Sequence, residues 1–341
     1  MTIAASIRAV RITAIVACTF GAAVLIWQFV RLLAVFPAAA VLAAVAEVPL
    51  LVVGFVLARL LRPVRAPSLT WSGAALAWGG TAATGCALLA NQGLTGLWAK
   101  GAGVGFAANW SASLTAPLNE EILKLCGVIL VALAAPSVIR GPVDGMIIGA
   151  LTGLGFQAVE NVTYGLNAIV LTGATNPDRA VLNSFGLRVG MTGLGSHWTM
   201  TAVAGAGIGY FVLYARQRLG QTGSLRPPRR GVLAACACLA TAMGMHLLFD
   251  APGPGLLPKV AINFIVVVVL YLMLRTSFVS RARALLTDWA GADIVSAAEA
   301  RTLTSRLKRR RELRRADSPA DRARLLERQS EVLDRIDSEA A

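Results

Sequence analysis

The sequence predicts an all-α fold: a polytopic membrane helix bundle of about eight transmembrane helices, followed by a helical cytoplasmic C-terminal tail. Three observations predict it. Apolar residues make up 56% of the 341 residues and charged residues only 15%. Mean hydropathy is +0.65, far above the range of soluble globular chains. Finally, apolar runs of about 20 residues, the length that crosses a hydrocarbon core of about 30 Å, recur as far as residue 274.

The expected spans are 12–30, 38–58, 71–90, 117–135, 143–171, 185–215, 231–250 and 256–274. The first follows Arg8 and Arg11 and is too long for the apolar region of a secretory signal, so it reads as an uncleaved span. The stretch 94–116, with Trp98 and Trp110 as interface anchors, reads as a short interfacial or re-entrant helix. Gly145, Gly149 and Gly153 recur every four residues, the spacing that lets membrane helices approach closely. Gly101, Gly103 and Gly105 lack the strand and the G-K-[ST] of a phosphate loop, which excludes a nucleotide site. The cysteines show no C-x-x-C spacing and read as small packing residues.

Charge divides the chain into a transmembrane domain, 1–274, and a basic, charged tail, 275–341. The first holds 17 Lys/Arg and 7 Asp/Glu, the second 15 and 11. Placing the N-terminus in the cytoplasm puts Arg8 and Arg11, Arg59 to Arg65, Arg140 and Arg216 to Arg230 on the same side as the tail. Both termini are therefore expected to be cytoplasmic, by the positive-inside rule. The net charge of +14 has its cause in that orientation, and no nucleic-acid partner is expected. The basic stretch 301–315 and the stripe Leu325, Leu326, Val332, Leu333 and Ile336 suggest a solvated helix near anionic lipid headgroups, with contact to a cytoplasmic partner as the alternative.

Against this apolar background stand Glu120, Glu121, Glu160, His197 and His246. Each costs about 2.5 to 3.5 kcal/mol to insert, so the set is a functional-site hypothesis. Pro117 and the acids after it also suit a capped helix end, and Glu120 can pair with Lys124 one turn on. Two adjacent carboxylates facing one lysine nevertheless leave a surplus charge, as a proton-exchanging group requires. Glu160 and Asn161 have no basic residue within a turn, so Glu160 needs a partner from another helix. Asp250 lies one turn after His246, where it can orient the imidazole. At 1.5 Å per residue Glu160, His197 and His246 lie about 16, 18 and 6 Å below the outer ends of their spans, so all five groups can share the outer half of the membrane.

Glu120-Glu121-x-x-Lys124, Asp144-Gly145, Gly155-Phe156-x-x-x-Glu160-Asn161, Arg188 ahead of His197, and His246-x-x-x-Asp250 together resemble the motif series of the PrsW family of intramembrane proteases, over about residues 110–275. The CAAX-protease and bacteriocin-processing group is a more distant likeness, with Glu-Glu-x-x-x-Arg and Phe-x-x-x-His where this chain has Lys124 and Glu160. The resemblance implies a peptidase of the bacterial plasma membrane that cuts a membrane-anchored protein, such as an anti-sigma factor, in or next to the bilayer. Glu120 or Glu121 would activate water, Glu160 and Asn161 would position it or the substrate, and His197 and His246 would serve the oxyanion or leaving amine, supported by Lys124, Arg188 and Asp250. His197, His246 and Glu160 equally form a ligand set for a divalent metal such as zinc, so glutamic and metal-dependent catalysis both stand. Two other classes compete: a proton-coupled transporter or channel using the Glu/His set as a relay, and a non-catalytic membrane scaffold. Against transport, no duplicated pair of broken helices is visible in the sequence.

Overall fold

The computed structural model describes residues 3–253 and 255–339. Helix α1 (Ile3–Val35) is followed by α2 (Pro37–Leu61), which starts on a proline whose missing N–H costs nothing in a first turn. α3 (Leu69–Trp78) passes through one wide turn, Gly79–Ala83, into α4 (Thr84–Ala102). Gly103, at φ 93°, reverses the chain into α5 (Val104–Ala134), a conformation only glycine adopts without strain. α6 (Pro142–Leu171), α7 (Pro177–Phe185), α8 (His197–Thr222), α9 (Arg229–Asp250) and α10 (Leu256–Gly291) complete the bundle. The tail forms α11 (Ala297–Leu303), α12 (Arg306–Arg314) and α13 (Pro319–Glu339).

Among the described residues, seven helical segments are long and apolar enough to cross a membrane. α5 is not among them because Glu120, Glu121 and Lys124 interrupt its apolar run; its 31 residues still extend about 46 Å. The bundle is therefore a multi-pass membrane fold in which α5 carries three closely spaced charged residues.

Three local expectations are corrected. Residues 94–116 form no separate interfacial helix, being shared between the end of α4 and the start of α5. Pro117 does not begin a helix: α5 starts at Val104, so Glu120 and Glu121 lie deep within it, where a cap or the helix dipole cannot account for them. The run 185–215 is not one span. α7 ends at Phe185, a wide turn Gly186–Met191 and a short turn Gly193–Gly195 follow, and α8 begins at His197 itself.

α6 is the axis of the molecule, with 94% of its apolar window buried against 11% for α1. Its glycines explain how closely it is enclosed. A Cβ on Gly145, Gly149 or Gly153 would stand 2.1, 2.2 or 2.5 Å from the carbonyl oxygens of Gly205, Thr201 and His197 on α8. On another face, Gly155 would meet the Leu76 carbonyl at 2.0 Å, and Gly79 that of Thr152 at 1.9 Å. Without a hydrophobic drive between helices in lipid, such backbone contact is what holds α6 to its neighbours.

The basic loops gather at one end of the bundle. Arg11 donates to the Ala134 carbonyl at 3.1 Å, and Arg216 to that of Ile139 at 3.3 Å. Buried Arg62 lies between Asp144, at 2.5 Å on the first turn of α6, and Asp337, at 2.9 Å on α13. Asp337 also faces Arg65 and Arg140, each at 3.3 Å, and Arg65 pairs with Asp334. No break in the backbone marks the change of composition at residue 274, which falls inside α10. Nor is the tail simply solvated: Val332, Leu333 and Ile336 join the same core cluster as Phe278, Leu286 and Trp289, because the stripe on α13 has an apolar face to cover. Leu326 remains exposed.

Removing one partner of a buried ion pair costs about 3 to 5 kcal/mol. Asp337→Asn is therefore expected to release α13, read as faster tryptic cleavage within 297–339 while the bundle stays resistant. Unchanged cleavage would show that the apolar contacts alone hold the tail.

Candidate active site

The charged residues on α5, α6, α8 and α9 meet at one buried point. Glu120, Glu121, Lys124, His197 and His246 are all almost fully excluded from solvent. The start of α8 is fixed from two sides: Gly153 of α6 lies against His197 and Trp198, and Trp198 donates its indole N–H to the Gly193 carbonyl at 2.9 Å. Asn263 of α10 ties the two histidine segments together, its amide lying 3.0 Å from the Gly195 carbonyl and 3.2 Å from that of Met245.

Each histidine is held by a carboxylate. His246 Nδ1 lies 2.9 Å from Glu121 Oε1, and its Nε2 lies 3.8 Å from Glu120 Oε2 and 3.4 Å from Asp250 Oδ2. His197 Nε2 lies 2.7 Å from Glu160 Oε2, and its Nδ1 lies 3.8 Å from Glu120 Oε2. The two imidazoles meet edge to face at 5.1 Å, and Phe156 packs on His197 at 4.9 Å.

The two adjacent glutamates differ sharply in their contacts. Glu121 is saturated: Lys124 Nζ stands 2.6 Å from Oε1, which also receives His246, and Thr201 donates to Oε2 at 3.3 Å. Glu120 accepts from Asn91 at Oε1, at 2.8 Å, and its Oε2 is buried without a hydrogen-bond partner. A bare carboxylate oxygen between two imidazoles is costly unless something binds it. Ligand-type atoms of Glu120, His197 and His246 lie within 4.8 Å of one another, and a carboxylate with two imidazoles is a donor set that suits zinc. The residues thus fit a divalent metal. Lys124 Nζ, 3.0 Å from His197 Nδ1 and 3.8 Å from Glu120 Oε2, is the cation the chain itself brings to the same space.

The candidate site residues singled out from sequence all reach this region, whereas Asp144 of the motif series lies at the basic end against Arg62. Arg188 binds Glu160 and donates to Asn161 Oδ1 at 2.7 Å, so those three form the outer wall of the His197 side. With Glu160 Oε2 committed to Arg188 and His197, the carboxylate that converges with both histidines is Glu120 rather than Glu160. Four participants escaped sequence reasoning. Glu47 of α2, buried, accepts from Asn161 at 3.2 Å and had the same signal as Glu160, a lone acid in an apolar span. Asn91, Thr201 and Asn263 had none, because neutral polar residues are common in membrane helices.

Fold and cluster together define a polytopic membrane protein with a buried carboxylate and histidine centre. The family model described as PrsW family intramembrane metalloprotease matches residues 67–275, and the chain belongs to that family. The match takes in α3 and α4 as well as the region carrying the motifs, and it leaves out α1, α2 and the tail. No curated protein and no solved structure matches the chain.

Proposed function

We propose that the protein hydrolyses a peptide bond of a membrane-anchored protein, in or next to the bilayer, at a centre where Glu120, His197 and His246 hold a divalent metal such as zinc. The observation that carries this reading is the unpartnered Oε2 of Glu120, buried between the two imidazoles. When bound, the metal would supply a Lewis acid and acidify a water molecule.

The chain's own residues prepare the donor atoms. Glu121 accepts from His246 Nδ1 and so keeps the proton there, leaving Nε2 to face Glu120. Glu160 does the same at His197 Nε2, leaving Nδ1 on the Glu120 side. Arg188, Asn161 and Glu47 fix Glu160 in turn. Asp250, about a quarter exposed, is the most accessible carboxylate of the set and lies 3.4 Å from His246 Nε2.

A specific observation favours a second, metal-free reading, in which Glu120 takes the proton from water directly. Lys124 Nζ already supplies a positive charge at His197 Nδ1. Elemental analysis of the purified protein and cleavage after exhaustive chelation separate the two: stoichiometric metal and chelator-sensitive cleavage support the first, and full activity without metal establishes the second.

The substrate class suggested by the motifs is a single-span regulatory protein of the anti-sigma type. The family suggests a bacterial plasma membrane, and the gathered basic loops suggest that both termini are cytoplasmic. In liposomes, Glu121→Ala and His197→Ala are expected to remain folded and lose cleavage, and cells carrying either variant should accumulate an intact single-span protein in membrane proteomics. Undiminished cleavage by both would refute the site. Solute flux lost with the same substitutions would turn the assignment to transport.

A further inference from the structure

At the basic end of the bundle, the end of α2, the second half of α10 and the helices α11 and α12 enclose a cavity of about 820 Å³. Its wall carries Arg275 and Arg283 from α10, Arg301 from α11, Arg306 and Lys308 from α12, and the edge of Arg62. Among the described residues no carboxylate lines it. The nearby acids face elsewhere: Asp337 and Asp144 are bound by Arg62 from its other side, and Asp334 by Arg65. Tyr271, Thr287, Thr304 and Ser305 add hydroxyls to the wall. Arg306 is held below the usual arginine range, first by burial and then by the like charges of Arg62 and Arg310. Side chains of one sign have thus been collected around a hollow with no internal counter-charge.

The same hollow has an apolar rim. Leu60, Leu61 and Leu307 are exposed beside it, and it straddles the end of the membrane-crossing α2 and the point on α10 where the apolar run gives way to arginines. A soluble phosphate has no use for exposed leucines at that level, whereas a phospholipid places its phosphate among the cations and its acyl chains along them.

We propose that this cavity is a binding site for an anionic phospholipid, its phosphodiester held by Arg275, Arg283 and Arg301 and its acyl chains lying along the outer surface of α2 and α10, while Arg306 donates to the carbonyls of Arg62 and Val64 and so ties α12 to the end of α2. The site exists only with the tail in place, because α11 and α12 form one wall. The lipid therefore bridges tail and bundle, complementing the Arg62 and Asp337 contact from the opposite side.

The test uses the full chain in nanodiscs of phosphatidylcholine containing a minor fraction of phosphatidylglycerol, with retained lipid counted by native mass spectrometry after transfer to detergent. Wild type is expected to retain phosphatidylglycerol in preference to phosphatidylcholine. Arg275→Gln with Arg283→Gln should weaken retention roughly thirtyfold, and Arg301→Gln alone about fivefold. Arg226→Gln with Arg229→Gln removes the same charge from exposed positions outside the cavity, before and at the start of α9, and should change nothing. Equal weakening by both double variants would mean a diffuse surface effect and overturn the proposal, as would retention unchanged by any cavity variant. Displacement of the lipid by inorganic phosphate at matched concentration would overturn the lipid assignment in favour of a soluble phosphate ligand. Arg275→Lys with Arg283→Lys keeps the charge and should retain the lipid, which separates loss of the site from loss of the fold.

Discussion

Glu120→Gln is expected to lower cleavage by about 10²–10⁴-fold while the protein stays folded and inserted. The substitution is almost isosteric, and the amide oxygen can keep the contact from Asn91 at the Oε1 position. What changes is the other atom. The unpartnered Oε2 becomes an N–H₂ group facing His197 Nδ1 and His246 Nε2, unable to accept a proton or serve as a strong metal ligand. Bound metal should fall together with activity if Glu120 is a ligand, and activity alone should fall if Glu120 acts only as a base. Glu121→Gln is the necessary comparison. It disturbs Lys124, His246 and Thr201 but leaves the Glu120 oxygen intact, so its effect should be that of a supporting carboxylate, about 10 to 100-fold. The reverse order, with Glu120→Gln near wild type and Glu121→Gln inactive, would exchange the roles of the two glutamates.

The pair also shows what a sequence can reveal about such a site. Membership was readable because the physical signal is strong: an ionisable group in an apolar run is expensive wherever it sits. The nine ionisable and amide residues proposed for the site meet around one centre, whereas Asp144 of the same motif series lies at the basic end with Arg62, and the general bundle follows from hydropathy alone. The division of labour between Glu120 and Glu121 was not readable, since adjacent residues on a helix point about 100° apart and only the neighbouring helices decide which one is saturated. The same limit applies to His197. Its run is apolar enough to pass for the middle of a span, yet Gly186, Gly190, Gly193 and Gly195 break that run and make His197 the first residue of α8. Tail docking escaped for a related reason: Asp337 is one acid among many in 275–341, and nothing local distinguishes it from the exposed ones until α13 is placed against Arg62, Arg65 and Arg140.

Gly153→Val is expected to lower activity about 100-fold or more without touching any ionisable group. A Cβ at this position would lie 2.5 Å from the His197 carbonyl oxygen and 2.7 Å from the Trp198 Cα, both backbone atoms with no rotamer to change. The only relief is to move the first turn of α8 away from α6, and that turn carries His197. A displacement of about 1 Å at a catalytic group costs on the order of 10²-fold. Here it would lengthen the 2.7 Å contact to Glu160 and the 3.0 Å contact to Lys124 together. Gly165→Ala, further along α6, meets its nearest neighbours only at 3.7 Å or beyond and should behave as wild type. The comparison separates helix propensity, which alanine improves and valine changes little, from steric displacement of α8. Gly149→Val should resemble Gly153→Val in loosening the α6 and α8 contact, but it presses on the Thr201 carbonyl, so its effect reaches the site through Glu121 rather than His197. Activity retained by Gly153→Val, with the folded state verified by gel filtration and thermal unfolding in detergent, would mean that α8 can shift without carrying His197 from its place. The rigid backing of that histidine by α6 would then have no part in catalysis.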